Sequence, residues 1–267
     1  MKKKRFKRVN ISKLTNFSFL PSIFSLLSLF AGYLALIQIF NGKFYNAVFL
    51  VMASVVLDGF DGTIARLTKT ESNFGTQLDS LVDAIVFGLV SSAMVYKWGF
   101  QGEFSQFGKV IGFIFLSAGI IRLARFNVLK DSGAIPMNTF VGLPIPAGAL
   151  SICSVVLVFK DPINSFSGVI LYAIFVIMIS YLMISNIKYK TLKRIDSKKG
   201  LQILFLFAIV VALLIMYPSN TLPVMISFYL ISPIFFYLSS KMKKKVNLTG
   251  RRTDSSSEEA DSKVYEE

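Results

Sequence analysis

Four aspartates carry the chemistry that is legible in this chain. They lie in the stretch LDGFDGTIARLTKTESNFGTQLDSLVDAIVFG, from Leu57 to Gly88. Asp58 and Asp61 are three apart and Asp79 and Asp83 are four apart, so each pair falls on one face of a helix. The neighbours of Asp79 and Asp83 are apolar. A carboxylate at membrane depth costs roughly 2.5–3.5 kcal/mol on insertion scales, and several together repel one another. Bound cations relieve both problems. Oxygen-only ligands favour a hard ion, Mg²⁺ or Mn²⁺, with Ca²⁺ also compatible. Four carboxylates suit two ions better than one, and paired ions are a common device for stabilising displacement at phosphorus. The plain alternative, a solvated acidic cluster at an interface, would place these residues in a polar loop.

The elements that position them must be membrane helices. Hydrophobic residues make up 54% of the 267, charged residues 16%, and the net charge is +14. Apolar runs long enough to cross a bilayer, about 20 residues, recur at Phe19–Phe40, Phe44–Ala65, Phe74–Tyr96, Phe107–Phe126, Phe140–Phe159, Ser167–Ser185, Leu201–Tyr217 and Leu222–Ser239. The first is too long for a signal-peptide core and reads as a retained helix. With the N-terminus in the cytoplasm, eight spans place 25 of the 29 lysines and arginines inside and leave Lys43, Lys97, Lys109 and Lys160 outside. That split follows the positive-inside rule. The basic tracts sit between apolar runs, so anionic lipid, not nucleic acid, is the expected partner. The chain has no histidine and one cysteine, Cys153, which removes imidazole catalysis and any intrachain disulfide. No internal repeat of the transporter kind is apparent.

The connection between the second and third runs is short, so the two aspartate-bearing helices are antiparallel neighbours. Gly62 lies four after Asp58 and Gly75 four before Asp79, small residues that let a helix or ligand approach closely. Arg66 and Lys69 sit at the mouth, where a phosphate could be held. The full pattern, D-x-x-D-G-x-x-A-R-x8-G-x3-D-x3-D, resembles the signature of the CDP-alcohol phosphotransferase family. It is carried by Asp58, Asp61-Gly62, Ala65-Arg66, Gly75, Asp79 and Asp83, eight positions over 26 residues without departure. The resemblance implies a bundle with a six-helix catalytic core, usually a homodimer, with the site open to the cytoplasm and two metal ions bound. It implies that Asp58 and Asp79 bridge both ions, that Asp61 completes the first, and that Asp83 touches the second and acts as general base. It implies that Gly62, Arg66 and Ser72 hold the CDP part of the donor, with Gly75 beside them. The family's Pro-Asn-x-x-Thr element, also next to the nucleotide, corresponds to Pro21-Ser22-Ile23-Phe24-Ser25, in which both polar positions are serine.

A second stretch, IRLARFNVLKDSGAIPMNTFVGLPIP from Ile121 to Pro146, bears on the acceptor. Arg122 and Arg125 are one turn apart at the same membrane depth as the aspartates. They read either as a carboxylate or phosphate clamp or as side chains snorkelling to headgroups. Asn127 and Asn138 are further candidate contacts. Thr139–Pro146 reads as a re-entrant or kinked cap, or as a plain helix start, because Pro144 and Pro146 interrupt helical hydrogen bonding. RLARFN followed by F-x-G-L-P-x-P resembles the serine-using branch of the family, the bacterial and archaeal membrane-type phosphatidylserine synthases.

The expectation is therefore an all-α, polytopic membrane bundle of about eight helices. Residues 1–18 form a basic cytoplasmic segment with the character of an interfacial helix, 19–186 the catalytic core, 187–240 additional membrane helices, and 241–267 a basic, then disordered, cytoplasmic tail. The expected site lies on the cytoplasmic side of the cell membrane. The expected activity transfers a phosphatidyl or archaetidyl group from a CDP-linked lipid to L-serine, with release of CMP. Glycerol 3-phosphate or an inositol phosphate is the alternative acceptor. A cation channel or transporter with an acidic filter is the remote alternative.

Overall fold

The computed structural model describes residues 19–68, 73–131, 139–190, 212–214 and 216–233. Its helices are α1 (Phe19–Phe40), α2 (Phe44–Thr68), α3 (Asn73–Asp83), α4 (Ser91–Gly99), α5 (Ser105–Asp131), α6 (Ile145–Phe159) and α7 (Phe166–Ile184). A final helix, α8, occupies 218–233. Among the described residues, five segments are long and apolar enough to cross a membrane: Ser22–Phe40, Phe44–Thr63, Phe74–Gly99, Gly102–Leu129 and Phe166–Ile184. The chain is a multi-pass membrane protein. Ile145–Phe159 is a shorter apolar helix. The expected seventh span lies mostly outside the described residues, as do the N-terminal basic segment and the tail.

Polar contacts between α1 and α2 draw the first two helices together. Ser28 Oγ donates to the Ser54 carbonyl at 3.1 Å and Ser54 Oγ is 3.1 Å from the Ser28 carbonyl. Both serines are buried. Where lipid gives helices no hydrophobic reason to associate, small residues and interhelical hydrogen bonds do this work. Gly32 shows the same logic. A Cβ there would meet a Val86 methyl at 2.7 Å, so α1 lies almost backbone-on against the third membrane segment.

That third segment is not a uniform α-helix. Between α3 and α4, Ala84–Val90 winds as a π-helix. Such wide turns often mark functional sites, and this one begins at the residue after Asp83. It buries Val86, Phe87, Gly88 and Val90 together.

One expectation is corrected. The fifth span starts at Ile145, not Phe140, because Pro144 is the N-cap of α6 and Pro146 sits in its first turn, where a missing N–H is harmless. Thr139–Val141 (β1) is an extended strand. It pairs antiparallel with Lys188–Lys190 (β2), with Phe140 opposite Tyr189. The all-α expectation thus holds apart from one two-stranded ribbon. Gly142, at φ +81°, turns the chain from β1 toward α6, and a Cβ there would lie 2.3 Å from the Met183 carbonyl oxygen.

The two ends of the bundle differ in chemistry. Lys97 Nζ lies 5.4 Å over the Phe40 ring, and Lys43 and Lys160 line one cavity with Asp161. These are three of the four lysines expected outside, and they gather at the end opposite the aspartates.

Gly32→Ala is expected to lower the thermal midpoint of the purified protein, because its methyl must displace Val86; overpacking of this kind costs about 1–3 kcal/mol. Gly59→Ala, where a Cβ meets nothing within 4 Å, is expected to leave the midpoint unchanged or raise it slightly. Fluorimetric melting of both variants in one detergent checks the contrast.

Candidate active site

The last turns of α2 and the length of α3, from Asp79 to its final residue Asp83, bring the aspartates together, joined by the start of α1 and the end of α5. Asp58, Asp61 and Asp79 each present a carboxylate oxygen within 4.8 Å of the others. Asp58 is in side-chain hydrogen-bonding contact with both Asp79 and Asp83. Asp83 therefore extends the cluster through Asp58 and lies deeper. Its Oδ1 is buried without a hydrogen-bond partner.

Asp61 is held from α1. It is 5% exposed, and Ser25 Oγ donates to its Oδ2 at 2.7 Å. Ser25, expected on the nucleotide, thus touches a carboxylate of the cluster. A hydroxyl donor to a carboxylate is a strong hydrogen bond. It fixes which oxygen of Asp61 turns inward.

The cluster fits divalent cations. Carboxylate oxygens bind such ions at about 2.0–2.6 Å, so three oxygens within 4.8 Å can share one ion with little movement. Asp83 Oδ1, a buried acceptor with nothing to accept from, leaves a further ligand or base position open. Like charges this close, inside a bundle, call for a cation between them.

The donor-side residues are only partly visible. A Cβ on Gly62 would meet nothing within 4 Å, and the same holds at Gly59, so α2 offers open backbone surface beside Asp58 and Asp61. Ser22 is half-buried on the first turns of α1, and Gly75 is half-buried on α3. Pro21 and Arg66 lie on α1 and α2, but their side chains are outside the described residues, as are Lys69, Ser72 and Asn138 altogether.

The acceptor-side residues separate sharply. Arg122 is 7% exposed, its guanidinium carbon 5.4 Å from the Phe126 ring centroid, and it interacts electrostatically with Asp83. Arg125 turns elsewhere. Its Nη1 donates to the Ile184 carbonyl at 3.0 Å, and its Nη2 donates to Asn186 Oδ1. It caps the C-terminal end of α7, a usual post for arginine. Asn127 Nδ2 donates to Ser80 Oγ at 3.0 Å, and so ties α5 to α3 beside Asp79. Ser80 was not singled out in the sequence; its only signal is its place next to Asp79.

Comparison with known proteins places these features. The sequence profile of the family described as CDP-alcohol phosphatidyltransferase matches residues 18–183. The chain is 35% identical to a CDP-diacylglycerol–serine O-phosphatidyltransferase of Helicobacter pylori, over 84% of this chain and 92% of the relative. It is 34% identical to an archaetidylserine synthase of Methanothermobacter thermautotrophicus, over 68% of this chain and 73% of the relative. A CDP-diacylglycerol–serine O-phosphatidyltransferase of Methanocaldococcus jannaschii is 36% identical over 60% of this chain and 72% of the relative.

Ser25→Ala is expected to weaken Mn²⁺ binding by roughly tenfold, since it removes a charge-assisted bond that orients Asp61. Asp61→Asn is expected to weaken it further. Electron paramagnetic resonance of free Mn²⁺ in titrations of the purified variants reads this without turnover. Unchanged binding in Ser25→Ala would remove the hydroxyl from the metal site.

Proposed function

Because the chain belongs to the CDP-alcohol phosphatidyltransferase family, we propose that it transfers a phosphatidyl or archaetidyl group from a CDP-linked diacyl- or dialkylglycerol to the hydroxyl of L-serine, releasing CMP. The observation that carries this reading is the convergence of Asp58, Asp61 and Asp79, with Asp83 joined through Asp58, at one end of a membrane bundle. The serine acceptor rests on the relatives named for that activity.

In this reading Asp58, Asp61, Asp79 and Asp83 hold two divalent cations, Mg²⁺ or Mn²⁺, with Ca²⁺ also compatible. When bound, the ions neutralise the donor diphosphate and stabilise charge on the departing CMP. The lipid tails lie in the bilayer, and the nucleotide rests on the open backbone at Gly59 and Gly62. Pro21, Ser22, Arg66, Ser72 and Gly75 complete the donor surface. Ser25 acts on that surface indirectly, by holding Asp61.

Asp83 is the base. A hydroxyl is a weak nucleophile at neutral pH and needs a placed acceptor for its proton. The buried, unpartnered Oδ1 of Asp83 supports that role. As the serine oxygen bonds to the lipid-side phosphorus, its proton passes to Asp83, and the bond from that phosphorus to the bridging oxygen breaks. CMP leaves with the electron pair. Direct displacement inverts configuration at phosphorus. Cys153 is fully buried in α6, among apolar neighbours, and the chain has no histidine, so neither residue type offers a covalent route.

Arg122 is the acceptor clamp. A guanidinium matches a carboxylate in geometry and charge, and its interaction with Asp83 would set the serine hydroxyl beside the base. Arg125 and Asn127, expected on the acceptor, serve instead as supports, one for the end of α7 and one for α3. The proposal takes the aspartate end to face the cytoplasm across the cell membrane, with the lysine end outside, in keeping with the positive-inside bias. It also takes the protein to be a homodimer.

The test is CMP release by the purified full chain, with CDP-diacylglycerol and Mn²⁺, against serine, glycerol 3-phosphate and inositol phosphate in turn. Serine is expected to support release; release with another alcohol and not with serine would overturn the acceptor. Asp83→Asn is expected to cut turnover by about 10²- to 10⁴-fold while sparing donor binding more than Asp58→Asn does. Titration of a fluorescent CDP-lipid measures the second quantity, and equal losses of binding would contradict Asp83 as mainly a base.

A further inference from the structure

The helix α3 carries Asp79 and Asp83, yet it is only 11 residues long. It packs on α1, while α2 faces it across the carboxylates. The residue after Asp83 opens the π-helix Ala84–Val90. There the backbone bonds i→i+5 instead of i→i+4, so the angular phase of the side chains on α4 does not carry through to α3. The rotation of α3 about its own axis must be set by a contact of its own, and that rotation decides where Asp79 and Asp83 point.

Hydrogen bonds supply the contact. Asn127 Nδ2, on α5, donates to Ser80 Oγ at 3.0 Å. Ser80 Oγ in turn donates to the Thr76 carbonyl, one turn back on α3, at 3.1 Å. A hydroxyl has one proton, so with that proton on Thr76 the amide of Asn127 is the donor, and Asn127 Oδ1, at 3.4 Å, is only a neighbour. Asn127 is itself rooted. Two residues before it, Arg125 donates to the Ile184 carbonyl at 3.0 Å and to Asn186 Oδ1. A run of hydrogen bonds thus joins the end of α7, through α5, to the middle of α3. At about 100° of turn per residue, Asp79 and Asp83 stand about 100° and about 60° from Ser80, on the same side of the helix. A rotation of α3 that broke the bond would carry both away from Asp58, whose side chain meets them both.

We propose that Asn127 and Ser80 are a positioning pair for the metal cluster: their bond sets the rotation of α3, and with it the approach of Asp79 and Asp83 to the aspartates of α2. Repulsion between the carboxylates turns α3 away from α2 until cations bind, and the bond from α5 opposes that movement. A neutral hydrogen bond is modest in strength, but this one aims two carboxylates at once. The inference rests on the reading of the four aspartates as metal ligands.

The test uses the full chain in nanodiscs, with Mn²⁺ affinity read by electron paramagnetic resonance of the free ion and the thermal midpoint read without metal. Ser80→Ala, Asn127→Leu, the double variant and Ser80→Thr are compared. Each of the first two is expected to weaken Mn²⁺ binding by about fivefold, the scale of one neutral hydrogen bond. The double variant is expected to lose no more than either alone, because both remove the same bond. Ser80→Thr keeps the hydroxyl and is expected to bind as the unaltered protein does. At saturating Mn²⁺, KM for the alcohol that supports CMP release is expected to be the same in all. Unchanged Mn²⁺ affinity in Ser80→Ala and Asn127→Leu, whether or not the midpoint falls, would overturn the proposal and leave the bond a structural tie. So would losses that multiply in the double variant, or a loss in Ser80→Thr equal to that in Ser80→Ala. A raised acceptor KM in Asn127→Leu with Mn²⁺ affinity unchanged would overturn it by making Asn127 an acceptor contact. An unaltered protein that bound no Mn²⁺ would instead overturn the metal reading, and this inference with it.

Discussion

Four negative charges at one end of an apolar bundle constrain everything else in this molecule. Asp58, Asp61 and Asp79 share a space under 5 Å across, and Asp83 adjoins it through Asp58. Like charges at that range, out of bulk water, are strongly unfavourable unless cations or protons intervene. Helices that would otherwise drift apart must therefore be held together by other means. The serine pair between α1 and α2, the bare backbone at Gly32 and the tie from Asn127 to Ser80 all act in that sense. Each is a polar or close-packed contact of a kind that lipid cannot replace.

The surrounding residues also divide the aspartates into unequal partners. Asp61 is locked by a hydroxyl from α1, so its free oxygen has one direction. Asp83 sits where α3 gives way to the π-helix, with one oxygen unpartnered and an arginine nearby. A ligand needs a fixed lone pair, whereas a base needs an acceptor that the protein itself leaves vacant. In the proposed mechanism the two environments would meet those needs separately, one holding metal and the other taking a proton.

In the proposed reading the acceptor half of the site draws on a piece remote in sequence: Arg122 comes from α5, with its π partner Phe126 one turn on. The proposed donor half draws on the first three helices, α1, α2 and α3, and is compact in sequence.

Local spacing and apolar run length were enough to read the five membrane-long helices and the pairing of the aspartates on two helix faces, and to raise the expectation of a hard cation. Those features depend on helical periodicity and on the cost of a buried charge, and both act over a few residues. The run from Phe140 misled for the same reason: hydropathy cannot distinguish a span from a strand followed by a helix, and only pairing with Lys188–Lys190 decides between them. Arg122 and Arg125 looked equivalent at one turn's separation, yet one faces Asp83 and the other caps α7. Ser25, expected at the nucleotide, also bonds Asp61, a contact that the spacing alone did not foresee. The π-turn after Asp83 left no trace in local pattern. The pairing of the four aspartates on two neighbouring helices was determined by the sequence alone. Which oxygen each presents, and which arginine meets them, was decided by the tertiary structure, because those directions are set by neighbours that only packing brings within reach.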